Sequence, residues 1–156
     1  MNALIYTNEY PPYNYGGAGV HVEYLSKELS KLSETQVDVR CFGDQNDANW
    51  PLKVTGYQQN AGPYKAPTNL HSILKSSQTA IDFNADGNQA DIVHCHTWYT
   101  HLAGILTKQN YGIPLVVTAH SLEPLRPWKR EQLGAGYDFS LWVERTALEM
   151  ADAVIA

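Results

Sequence analysis

The chain has 156 residues, 44% of them apolar and 17% charged, which suits one globular domain with a real core. Its net charge of −5 gives no electrostatic case for binding nucleic acid. No apolar run reaches the roughly 18 residues of a membrane span, no secretory leader pattern opens the chain and no Asn-x-Ser/Thr sequon occurs, so a cytoplasmic protein without nucleic-acid or membrane partners is expected.

In chain order, Ala3 to Thr7 reads as a buried strand, and Glu9 to His21 as a loop rich in Pro, Tyr and Gly. Ala18, Val22, Leu25, Leu29 and Leu32 then recur at helical spacing. Gly16 and Gly17 thus lie between a strand and a helix, where free N–H groups and the positive dipole end suit a phosphate. A tight turn explains them equally well. Neither G-x-G-x-x-G nor G-K-[ST] is present.

Val37 to Phe42 alternates like a strand, 44–50 reads as a loop, 52–58 as a further strand and 60–67 as a loop carrying Gly62, Pro63 and Pro67. Leu70, Ile73, Leu74, Ser77 and Ile81 predict a helix that Asp86-Gly87 ends. Asp91 to His96 is a strand with a polar end. Tyr99 to Gln109 is a helix with Leu102, Ile105 and Leu106 on one side, and Leu115 to His120 a β-branched buried strand. A long loop is expected over 121–136. Ser140 to Ala151 is helical, with Val143, Ala147 and Met150 inward, and Ala153 to Ala156 reads as a new buried strand. Because a natural domain seldom ends in mid-strand, a fragment of a longer protein is expected. Cys41 and Cys95 lie in apolar runs and read as buried reduced thiols.

Strands alternating with helices predict an α/β fold, a Rossmann-like parallel sheet with helices on both faces. Ligands bind beyond the carboxyl ends of such strands. Three polar clusters fall at that edge: 9–19, 94–99 and 120–128. On a strand His94 and His96 share one face and Cys95 points to the other. Spacing supplies no third ligand, so no metal is expected. His96 and Thr97, at the strand's end, are better ligand candidates than His94. His120 has a bland alternative, a bond to nearby backbone. A nucleophilic triad at Ser121 lacks its G-x-S-x-G elbow. Glu123, Arg126, Lys129, Arg130 and Glu131 read most simply as a solvated loop face, with Arg126 and Lys129 able to meet an anionic sugar phosphate. Trp98 and Trp128 are either anchors or sugar-stacking platforms.

Glu9-Tyr10-Pro11-Pro12, Gly16-Gly17-Ala18-Gly19-Val20-His21-Val22, Val93 to Trp98 and Thr118 to Trp128 together resemble the N-terminal domain of bacterial glycogen-synthase-type retaining glycosyltransferases. The resemblance covers essentially the whole chain, and the 118–128 block is its most specific part. It implies a GT-B fold of two Rossmann-like domains facing across a cleft. Residues 1–156 would be the acceptor-side N-terminal domain, truncated, and the nucleotide-sugar domain with its E-x7-E motif would lie outside this chain.

The same resemblance implies that Gly16 and Gly17 lie near the donor phosphates and that His120 turns its carbonyl and side chain to the donor sugar, as the catalytic residue. It implies a substrate and acceptor surface of Glu9, Tyr10, His21, His96, Thr97, Trp98, Ser121 and Arg126, with no cofactor and no metal. Thr97 stands where better-known members carry Asp, and Asn14 where they carry Lys. The function implied is retaining glucosyl transfer from ADP-glucose or UDP-glucose to an α-1,4-glucan. Alternatives are a maltose-1-phosphate synthase with glucose 1-phosphate as acceptor, another small-acceptor transferase, or a non-catalytic sugar- or phosphate-binding module. Partners would be the sugar nucleotide, the acceptor and the C-terminal domain of the same protein.

Overall fold

The computed structural model describes residues 1–59, 62 and 64–156; of the loop expected over 60–67, residues 60, 61 and 63, Pro63 among them, lie outside the described residues. The alternation read from the sequence is realised as β1 (Asn2–Thr7), α1 (Gly17–Ser30), β2 (Gln36–Phe42), β3 (Asn46–Asp47), β4 (Leu52–Tyr57), α2 (His71–Ala85), β5 (Ile92–His96), α3 (Trp98–Tyr111), β6 (Leu115–Thr118), α4 (Lys129–Leu133), α5 (Ala135–Met150) and β7 (Ala153–Ile155). The sheet order is β3-β4-β2-β1-β5-β6-β7. Its pairings are parallel except for β3 against β4. From β1 the chain first builds outward through β2 and later returns to lay β5 on β1's other side. This reversal between β1 and β5 is a topological switch point, where loops diverge and open a crevice.

Alternation along the strands feeds two cores. Leu4, Tyr6, Val93, Cys95, Leu115 and Val117 face Ala80 and Phe83 of α2, Ala103 of α3 and Ala147 of α5. Ile5, Val37, Val39, Cys41 and Val54 face Val22 of α1, with Tyr10 joining them. Helices therefore cover both faces, α2, α3 and α5 on one and α1 on the other. Both thiols are fully buried.

The helices bury different residues from those that apolar spacing picked out. In α3 the buried residues are Trp98, Thr100, His101, Ala103, Gly104 and Thr107, while Leu102, Ile105 and Leu106 are only half-buried. Small residues face the sheet around Gly104 because α3 lies very close to it there: a Cβ on Gly104 would sit 2.4 Å from Cys95 Sγ. The buried hydroxyls are satisfied. Thr107 donates to Asn84 Oδ1 at 3.0 Å, and Tyr6 Oη lies 3.0 Å from Thr107 Oγ1. In α2 the buried face is Ile73, Ser76, Ala80 and Phe83, and Ile81 is exposed. Leu32 lies past the end of α1 and is exposed.

The loop expected over 121–136 is largely helical: a 3-10 turn at Glu123–Leu125, then α4, then the start of α5. β3, missed within 44–50, pairs with β4. β7 is a strand, as expected, but it is an edge strand and exposed rather than buried.

Candidate functional site

β1, β5 and β6 end side by side, and each hands its chain to a loop at the crevice. The β1 and β5 loops are tied across the switch point: Thr97 donates its hydroxyl hydrogen to Asn8 Oδ1 at 2.7 Å. Thr97 is also held at φ 66°, a backbone conformation that non-glycine residues rarely adopt and that clusters at functional sites.

Three imidazoles converge beside this tie. His21 comes from the second turn of α1, His96 ends β5 and His120 follows β6. His96 Nδ1 lies 3.0 Å from His120 Nε2. The His21 ring centroid is 5.5 Å from that of His96 and 5.2 Å from that of His120. His94 packs behind His96, centroids 4.2 Å apart, with its Nε2 2.7 Å from Thr118 Oγ1. Burial, reinforced by mutual repulsion, pushes His94 down to about 4 and His96 down to about 2, and lowers His120 in the same direction. Those three rings are therefore uncharged near neutral pH.

The glycine loop is organised differently from its sequence reading. Glu9 Oε2 accepts hydrogen bonds from the N–H groups of Tyr15 at 3.0 Å and Gly16 at 2.9 Å. Glu9 thus orders the loop from within. Gly16 has an extended backbone that any residue adopts. A side chain at Gly17 would meet open space, so neither residue is glycine because of crowding from this chain. The close approach is at Gly19, where a Cβ would come within 2.6 Å of Asn14 Oδ1 and 2.9 Å of Glu9 Cβ. The N-cap of α1, Gly16, has no side chain to bond the first-turn N–H groups and the first turn holds no acid; the Glu9 carboxylate already sits at the cap, at a helix end whose dipole favours negative charge.

Three residues expected at the substrate surface, Tyr10, His96 and Trp98, are buried. Tyr10 is buried, its hydroxyl 2.9 Å from Ser26 Oγ. Trp98 is buried and stacks on Tyr99. Trp128 remains exposed. Ser121 is exposed and accepts from Arg126 Nη1 at 3.2 Å.

The reading of Glu123 and Lys129 as a solvated face is corrected. Glu123 is fully buried. Its Oε1 accepts from Lys129 Nζ at 2.8 Å and lies 3.6 Å from Arg126 Nη1. Its N–H donates to Glu144 Oε2, and its carbonyl accepts from Tyr137, both at 2.8 Å. This network pins the loop only three residues beyond His120. No periodicity announced it, because the partners lie on two later helices.

From Asn8 at the switch point toward the ends of β2 and β4 lies a cavity of about 740 Å³ whose lining includes Asn8, Tyr13, Asp44, Gln58, Ser72, Lys75 and Tyr99. Lys75 is the one cation among its described lining residues. Sequence reading passed over both Asn8 and Lys75. Asn8 was detectable as the residue immediately after the strand; Lys75 sits in a helix read only for its apolar stripe.

The chain is 50% identical, over all 156 residues, to an α-maltose-1-phosphate synthase of Mycolicibacterium smegmatis, and spans 38% of that protein's length. It is 25% identical over 141 residues to a glycogen synthase of Mycobacterium tuberculosis, covering 79% of this chain and 34% of that one. The fold matches that of a sucrose-phosphate synthase from Thermosynechococcus elongatus with a TM-score of 0.70 at 17% identity, over 99% of this chain and 41% of the other. The architecture is thus the Rossmann-like fold of GT-B glycosyltransferase domains, as the resemblance implied. Residues 15–156 fit the sequence profile of Glycosyltransferase Family 4, and the chain belongs to that family.

Proposed function

We propose that the chain is the acceptor-side domain of a retaining glucosyltransferase that passes glucose from ADP-glucose or UDP-glucose to glucose 1-phosphate, giving maltose 1-phosphate. The observation that carries this reading is the 50% identity to a maltose-1-phosphate synthase across the whole chain, against 25% to a glycogen synthase across part of it. The similarity therefore favours the small phosphorylated acceptor over the α-1,4-glucan. The spans of 38% and 34% of those proteins support a further domain of the same protein as the holder of the sugar nucleotide.

The site's chemistry agrees with this assignment. Lys75 with Ser72 offers a cation and a hydroxyl to the acceptor's phosphate, within a cavity of about 740 Å³. The charge-assisted contact is the stronger of the two. The donor's diphosphate would meet the first-turn N–H groups of α1 around Gly17, and Gly16 if the Glu9 carboxylate gives up its bond. There the positive helix end stabilises the charge that builds as the nucleotide departs. His120 faces the donor sugar, with its ring oriented by His96. Uncharged rings at His96 and His120 suit that place, because cationic rings there would oppose the positive charge developing on the sugar in the transition state. Thr97, tied to Asn8, links donor and acceptor sides of the crevice.

The test is glucosyl transfer by the full-length gene product. Each sugar nucleotide is offered with glucose 1-phosphate and, separately, with glycogen. Maltose 1-phosphate as the main product is expected. Glycogen extension without it would restore the glucan reading, and no transfer in any combination would leave a non-catalytic binding role.

A further inference from the structure

His21, His96 and His120 each offer one ring nitrogen, and these nitrogens all lie within 4.8 Å of one another. They come from three different elements, α1, β5 and the loop after β6, which share one sheet edge. Four nitrogens around a tetrahedral ion at about 2.0–2.1 Å are separated by roughly 3.4 Å. One edge of such a site, His96 Nδ1 to His120 Nε2, is already 3.0 Å long.

We propose that His21, His96 and His120 form a binding site for a divalent transition-metal ion of the zinc, cobalt or nickel type. Three imidazoles are the donor set that such ions favour over magnesium or calcium. His21 is exposed, so an ion has a path in and keeps an open position for water or a substrate oxygen. The rings are splayed, with His21 at 77° to His120 and 50° to His96, rather than stacked flat on one another. His94 packs against His96 and is held through Thr118, so the buried ligand is fixed from behind. Of the two histidines on β5 only His96 is a ligand; the others come from a helix 75 residues earlier and from the loop after β6, so the set becomes visible only in the fold.

An ion there would take the nitrogen of His120 and occupy the place assigned above to the donor sugar. This consequence, which rests on the proposed function, makes the site inhibitory rather than catalytic. Full-length protein stripped of metal would be titrated with Co²⁺. One tightly bound ion per chain is expected, with the visible ligand-field absorption of a nitrogen-rich tetrahedral site, lost on adding Zn²⁺. His21→Ala changes an exposed side chain and should weaken Co²⁺ binding at least about ten-fold. His71→Ala, whose ring bonds the Ala66 carbonyl elsewhere, should not. Absence of a stoichiometric band, or a band unaffected by His21→Ala, overturns the site. Zn²⁺ should also inhibit glucosyl transfer competitively with the sugar nucleotide and reversibly on chelation; full activity with Zn²⁺ bound overturns the inhibitory consequence. An intact Co²⁺ band in a protein that makes no maltose 1-phosphate would refute the functional reading and leave the metal site standing.

Discussion

Lys129→Met tests whether the buried carboxylate at Glu123 holds the loop that presents His120. Methionine keeps the aliphatic stem and removes only the ammonium. The Glu123 side chain is 1% exposed and that of Lys129 13%, with 2.8 Å between the charges. The Arg126 guanidinium is more distant at 3.6 Å and more exposed, so it replaces the lost partner poorly. Removing one member of a buried pair costs about 3–5 kcal/mol. The lower figure corresponds to roughly a hundred-fold change in a local opening equilibrium. Hydrogen exchange by mass spectrometry on the full-length protein reads this directly. Amides of Glu123 and of the first turns of α5 should lose about a hundred-fold in protection. The comparison is Arg130→Met, one residue along. Arg130 pairs with Asp138 at 2.6 Å, but both partners are more than half exposed, and such pairs contribute about 0–1 kcal/mol. Equal effects from the two substitutions, or unchanged protection in Lys129→Met, would refute the reasoning.

His120→Ala should leave the protein folded, because its ring is only half-buried, yet reduce turnover by about a hundred-fold or more; wild-type-like kcat would remove it from the catalytic role. Gly104→Ala places a methyl 2.4 Å from Cys95 Sγ and 2.8 Å from Leu115 Cδ1, and such overpacking costs about 1–3 kcal/mol, readable as a lower denaturant midpoint. The buried histidines make the fold acid-sensitive. His94 and His101 are pushed down to about 4 by burial, below the ordinary value near 6.5, so the unfolded chain binds protons that the native chain refuses. Their contribution is present above about pH 6.5 and is lost as the pH falls from there toward 4, at up to about 1.4 kcal/mol per pH unit for each ring. Stability measured between pH 7.5 and 4.5 should fall accordingly, and a flat profile would contradict the burial.

The parallel architecture was legible because β-α alternation and buried β-branched runs leave strong local patterns. Ile92–His96 and Leu115–Thr118 lie within the strands expected there. The helix faces were not, because apolar spacing assumes that bulky residues point inward. In α3 the close approach of helix to sheet selects Gly104, Ala103 and two hydrogen-bonded threonines instead. Gathering of His96 and His120 at one edge followed from the strand-end rule. Burial of Tyr10 and Trp98, and of Glu123 beneath the His120 loop, depended on partners distant in sequence, which no local pattern reports. Lys75 was hidden because a lysine on a helix is ordinarily solvated, and only the cavity beside α2 gives it a partner to seek.

The central claim is that the cavity lined by Asn8 and Lys75 receives a phosphorylated sugar. The most direct measurement is the kcat/KM of the full-length enzyme for glucose 1-phosphate, in wild type and in Lys75→Met, at saturating sugar nucleotide. A hydrogen bond to a charged group contributes about 1.5–3 kcal/mol, so acceptor efficiency should fall by roughly ten- to a hundred-fold, with the KM for the sugar nucleotide unchanged. Unaltered efficiency toward glucose 1-phosphate in Lys75→Met would contradict the placement of the acceptor's phosphate at this lysine.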